Sequence, residues 1–141
     1  GVITSDFFKN SFPLWNPINY APRWIPALSE ENNNWTNLSL SKFYREIGNY
    51  YPQVNFSQFT NEHDQVQMFF YEIMGGNPRK WSQKMKDSLL NIHNNLPNNF
   101  SSFIEKGSQH CIIPYDRFYD TERTEEKTFY DWFSEYISRN E

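Results

Sequence analysis

Hydrophobic and polar positions change period several times along the 141-residue chain, and each change marks an element. Trp81, Met85, Leu89, Ile92 and Leu96 recur at helical spacing. They predict a helix capped by Asn77, with Pro78 at its first position and Pro97 as its stop. His93 falls off that stripe and reads as a solvated surface residue. Val66, Phe69, Phe70 and Ile73 form a second helical stripe, closed by Gly75-Gly76. Ser39 is placed to cap another helix running to about Tyr51, with Leu40, Phe43, Ile47 and Tyr50 on one face and Pro52 ending it. Thr128 caps a last helix carrying Phe129, Trp132, Phe133, Tyr136 and Ile137.

The strand signals are shorter. Val54–Phe59 alternates apolar and polar, and the polar stretch Thr60–Asp64 reads as the loop after it. Phe100, Phe103 and Ile104 form a β-prone run that reaches Gly107, a polar tip Ser108-Gln109-His110, then Cys111-Ile112-Ile113 and Pro114. Val2–Thr4 reads as a short buried strand already under way, which predicts a fragment or a processed product. Residues 10–37 hold Pro13, Pro17, Pro22 and Pro26 among Trp15, Trp24 and Trp35. That proline density forbids a long helix, so an irregular excursion is expected. Its tryptophans either pack beneath a loop or offer a carbohydrate-stacking surface. Asp120–Lys127 reads as a charged, solvated loop.

Strand, excursion, helix, strand, loop, helices, strand, loop and helix in that order predict an α/β fold. The expectation is a single domain over residues 1–141, with a parallel sheet and helices on its faces. Three strands are few for such a sheet, so completion by another segment or chain is expected. The 13 Phe, 9 Tyr and 5 Trp imply a core of large flat side chains. A net charge of −4 with scattered Lys and Arg argues against a nucleic-acid partner. No apolar run is long enough to span a membrane. The sequons at Asn34, Asn37, Asn55 and Asn99 predict a glycoprotein on a secretory route, secreted or lumenal.

Cys111 is the only cysteine, so neither an internal disulfide nor a cysteine-rich zinc site can form. It is expected to be a buried small hydrophobe. No cofactor and no metal are expected, because His63 and Asp64 are two potential ligands without a third. The chemistry rests on Asp64 and His110. A histidine on a glycine-hinged loop after a strand either caps a turn or carries catalysis. With both strands in one parallel sheet, both loops emerge at one edge, and Asp64 can orient the imidazole as a general base. Asp before His is also the order of the α/β-hydrolase triad, in which the serine precedes both. None of the five glycines stands four positions from another, so the chain contains no Gly-x-Ser-x-Gly elbow.

Tyr51–Phe56, Asp64–Tyr71, Pro97–Phe100, Gly107–Pro114, Phe118-Tyr119 and Asp131-Trp132 occur in the order and spacing of a known family. From Trp24 to its end the chain resembles the carboxyl-terminal part of the pectin acetylesterase and Notum-like carboxylesterases, which are α/β-hydrolases. The resemblance implies a partial hydrolase sheet and an esterase that releases an acyl group, such as acetate, from a carbohydrate or another ester. It implies Asp64 and His110 as the triad acid and base, with the nucleophilic serine on a complementary polypeptide or segment. Animal and plant members carry several disulfide cysteines, whereas this chain has Cys111 alone, and Glu125-Glu126-Lys127 stands where a glycine is expected. Two other readings are a non-catalytic, hydrolase-derived structural or binding subunit, and a glycan-binding module using Trp15, Trp24 and Trp35.

Overall fold

Two strands lie at the centre of the described residues. In the computed structural model, which describes residues 22–29, 39–120 and 127–138 with the isolated Leu14 and Tyr20, β1 (Phe56–Asn61) pairs with β2 (Phe100–Glu105). The pairing is parallel, in the register Phe56↔Phe100 through Asn61↔Glu105. Parallel neighbours need a long crossover. Here it consists of α2 (Gln65–Ile73), a 3₁₀ turn at Pro78–Lys80 and α3 (Trp81–Asn95). Before β1 comes α1 (Leu40–Tyr50); after β2 come the single turn α4 (Arg117–Asp120) and α5 (Phe129–Ser138). The chain is therefore mixed α/β. Val2–Thr4, Trp15, Trp35, the sequons at Asn34 and Asn37, and residues 121–126 of the charged loop lie outside the described residues.

Side chains alternate across a strand, so each face of the pair builds its own core. On one face Phe56, Phe100 and Ile104 meet the α3 stripe of Trp81, Met85, Leu89 and Ile92, with Leu96, Tyr71 and Tyr44. The predicted stripe is fully buried. On the other face Phe59 and Phe103, opposite each other in the register, meet Ile112, Phe129 and Trp132. The last helix is capped as expected, with the Asp131 N–H donating to Thr128 Oγ1 at 3.1 Å. Ser39 accepts from the Lys42 N–H at 3.2 Å, and Asn77 from the Arg79 N–H at 3.0 Å. The helix following Asn77 opens with a 3₁₀ turn before it becomes α-helical at Trp81.

Several sequence expectations need correction. The first strand runs Phe56–Asn61 and not Val54–Phe59: Val54 is exposed, while Thr60 and Asn61 are buried. The contact of α1 with the core is made by Tyr44, whose ring meets Phe100 edge-on at 5.8 Å, and Tyr50 is exposed. Gly48 is also buried on α1, because a Cβ there would collide with the methyl groups of Leu96. Cys111 is exposed, since the chain around it is bent loop rather than strand, and Ile112 is the residue that turns inward. Trp24 does not pack beneath a loop. It lies at the surface with its indole N–H on the Tyr51 hydroxyl at 2.8 Å, while Ile25 and Leu28 are the buried anchors of that segment.

The largest departure concerns α2. Val66, Phe69, Phe70 and Ile73, predicted as its core stripe, all face solvent, and Phe69, Phe70 and Ile73 are each more than half exposed. At 100° per residue the opposite side of the helix carries Gln67, Met68 and Tyr71, and these are the residues turned inward. Periodicity identifies a stripe but not the direction in which it faces. Here the helix turns Tyr71 and Met68 onto the core that the α3 stripe builds, with Asp64 capping its first turn.

Candidate functional site

Because β1 and β2 run the same way, the chain leaves both at one edge of the sheet. β1 passes into residues 62–64, and β2 into residues 106–110. Backbone bonds join the two exits: the Glu62 N–H donates to Glu105 O at 2.7 Å, His63 N–H to Gly107 O at 2.9 Å, and Gln65 N–H to Ser108 O at 3.0 Å. Asn61, fully buried at the end of β1, donates its side-chain amide to Gln109 O at 2.6 Å. Gly107 makes this approach possible. Its φ is +148°, and a Cβ there would stand 3.1 Å from Asn61 Oδ1.

These bonds bring Asp64 and His110 together. His110 Nδ1 lies 2.9 Å from Asp64 Oδ2 and 3.2 Å from Oδ1. The carboxylate side chain is completely buried, whereas 47% of the imidazole is exposed. An ionised carboxylate only accepts, so Nδ1 carries the proton of the bond and Nε2 is left as the open nitrogen. Among the described residues Asp64 is the hydrogen-bond partner of the His110 side chain. Asp64 is also the N-cap of α2: Oδ1 accepts from the Gln67 N–H at 2.9 Å, and Oδ2 from Gln67 Nε2 at 3.0 Å. The Asp64 carboxylate is thus buried with both oxygens hydrogen-bonded, and the imidazole is half open to whatever approaches.

Of the predicted site residues, both are placed and both meet. Gln67 and Asn61 were missed. The first had a signal, since Asp64-x-x-Gln67 has the spacing of a capping box. The second had none, because its contact is with a backbone carbonyl 48 positions away. His63 is exposed beside the site, and among the described residues no group of three or more His, Cys, Asp or Glu is placed to hold a metal ion. No helix among them is long and apolar enough to cross a membrane. A polar hollow lined by Asn55, His93, Asn98 and Tyr136 lies at the amino ends of the strands, at the opposite edge from this chemistry. Asn99, in one of the sequons, has its amide buried and bound to Gly48 O at 3.0 Å, leaving no room for a glycan in the folded chain.

Glu62, two residues before the site aspartate, pairs with Lys86 of α3. The Lys86 hydrogen bond, helped by its charge and those of His63 and Lys106, holds the Glu62 carboxyl below its ordinary 4.5 against the opposing effect of partial burial. A lowered carboxylate pKa adds stability above the unfolded value, and that stability disappears as pH falls through the folded value. Both side chains are partly exposed, so the pair is screened. Lys86→Met should therefore cost only about 0.5 kcal/mol at pH 7 in urea titrations, and the difference should shrink as pH falls below the ordinary 4.5 of Glu62 and vanish below its lowered folded value. A difference that persists in acid would mean that Lys86 acts through packing of its stem.

Compared with known family models, curated proteins and solved structures, the chain matches none.

Proposed function

We propose that this chain is the carboxyl-terminal part of a serine carboxylesterase and supplies the acid and base of its triad. The observation that carries this reading is the bond from His110 Nδ1 to a fully buried Asp64 at the carboxyl edge of a parallel strand pair, with Nε2 left open. The resemblance to the pectin acetylesterase and Notum-like α/β-hydrolases points the same way and suggests an acylated carbohydrate as substrate, met on a secretory route. In this reading His110 Nε2 takes the hydroxyl proton of a serine held outside the described residues as that oxygen attacks the ester carbonyl. It then gives the proton to the departing alkoxide, and a water molecule releases the acid in a second cycle. Asp64 orients the ring and stabilises its cationic form.

The test uses the assembled protein. A fluorophosphonate probe should label a serine on a polypeptide or segment that accompanies residues 39–138, and His110→Ala should abolish that labelling. An assembly with no such serine and no labelling defeats the reading. The alternative is a hydrolase-derived subunit that binds and no longer catalyses, and the outward apolar stripe of α2 favours it, since an exposed stripe of this kind marks a surface built for contact. That alternative requires His110→Ala to leave both assembly and function intact.

A further inference from the structure

Gln67 does more at the site than a helix cap requires. One backbone N–H donated to the N-cap side chain is sufficient to cap a helix, and the Gln67 N–H supplies it to Asp64 Oδ1 at 2.9 Å. The side chain of the same residue then reaches back to Oδ2 at 3.0 Å, so one residue holds both oxygens of a fully buried carboxylate. This arrangement leaves a group unsatisfied. The amide must turn its NH₂ toward an acceptor-only carboxylate, and Gln67 Oε1 is consequently buried without a partner among the described residues. A buried acceptor without a partner is costly, and here the opposite end of the amide offsets that cost with its bond to the Asp64 carboxylate. The rotation of α2 agrees, for it turns Gln67 inward and leaves four apolar residues in solvent.

We propose that Gln67 is the positioning residue of the acid–base pair: it fixes the plane of the Asp64 carboxylate and so holds His110 as the Nδ1–H tautomer. The terminal torsion of an aspartate is broad and roughly two-fold, so a carboxylate held at one oxygen can swing. Held at both, it keeps Oδ2 in line with His110 Nδ1 at 2.9 Å. The catalytic use of that tautomer rests on the esterase reading above; the positioning itself does not.

The tautomer can be read directly by long-range ¹H–¹⁵N spectra of the histidine rings, in this chain, at mildly alkaline pH. Wild type should show His110 as Nδ1–H, with exposed His63 and His93 as internal references. Gln67→Met, similar in length but unable to donate, should lower the Nδ1–H to Nε2–H ratio of His110 by about tenfold and leave the references unchanged. Gln65→Met, at an exposed neighbouring position, should change nothing. Should Gln67→Met fail to fold, the Gln67 side-chain amide of the wild type gives the same information: one shifted proton that exchanges slowly supports the proposal, and a freely rotating pair overturns it. An unaltered tautomer in folded Gln67→Met also overturns it. Absence of fluorophosphonate labelling would defeat the esterase reading and leave this result standing.

Discussion

Replacing Asp64 with Ala should lower stability by about 2–4 kcal/mol and remove the ester hydrolysis proposed for the assembled protein. The stability loss combines an N-cap, typically worth about 1 kcal/mol, with buried donors left without their acceptor, about 1–3 kcal/mol more. Urea denaturation followed by circular dichroism measures it. Asp64→Asn separates the two effects. Its amide oxygen can still accept from the Gln67 N–H, so much of the cap survives. Its NH₂, however, now faces His110 Nδ1, and a donor opposite that nitrogen forces the proton onto Nε2. In the esterase reading the nitrogen that accepts the serine proton is then already protonated, and a loss on the order of 10⁴ in rate is expected with the fold intact. Undiminished hydrolysis by Asp64→Asn would remove Asp64 from the proposed triad.

The largest effect on stability alone is expected from Phe103→Ala. Phe103 is wholly buried at the centre of β2. Its ring stacks on Phe59 at 6.1 Å and meets Phe129 at 5.4 Å and Trp132 at 5.6 Å. Truncation removes the element that joins the sheet to α5, at a cost of about 3–5 kcal/mol. That is a large fraction of the whole stability of a small domain. Near-ultraviolet circular dichroism should lose most of its aromatic signal while helix content persists. Phe70→Ala, on the exposed face of α2, is the comparison and should cost little. A Phe103→Ala loss below about 1 kcal/mol would mean that this aromatic cluster is not the core it resembles.

The α3 stripe was legible because burial there follows the helical period of 3.6; the strand runs were legible only in part, from their apolar, β-prone residues, because burial along them does not alternate strictly. Asp64 and His110 were legible because an acid and a base after successive strands are chemically conspicuous. What escaped depended on tertiary contacts. Nothing in Thr60-Asn61 marks it as strand until Asn61 is seen bonded to Gln109 O. The stripe on α2 was visible, but its outward direction became visible only with Tyr71 and Met68 packed in the core on the opposite side. The expectation of a buried Cys111 assumes that the chain stays extended past Gly107. The bend at that glycine turns Ile112 inward instead.

The parallel pairing also has a consequence for how the molecule assembles. Partners such as Phe56 and Phe100 are 44 positions apart in sequence (100 − 56), and Asp64 and His110 are 46 apart. No hairpin can nucleate such a pair. The chain must first close the whole α2–α3 crossover, losing entropy that grows with the logarithm of loop length before any strand bond forms. Helical signal should therefore rise early in refolding, and the Asp64–His110 contact should be among the last features to appear. Protonation chemistry at that edge then reports a chain that has finished folding.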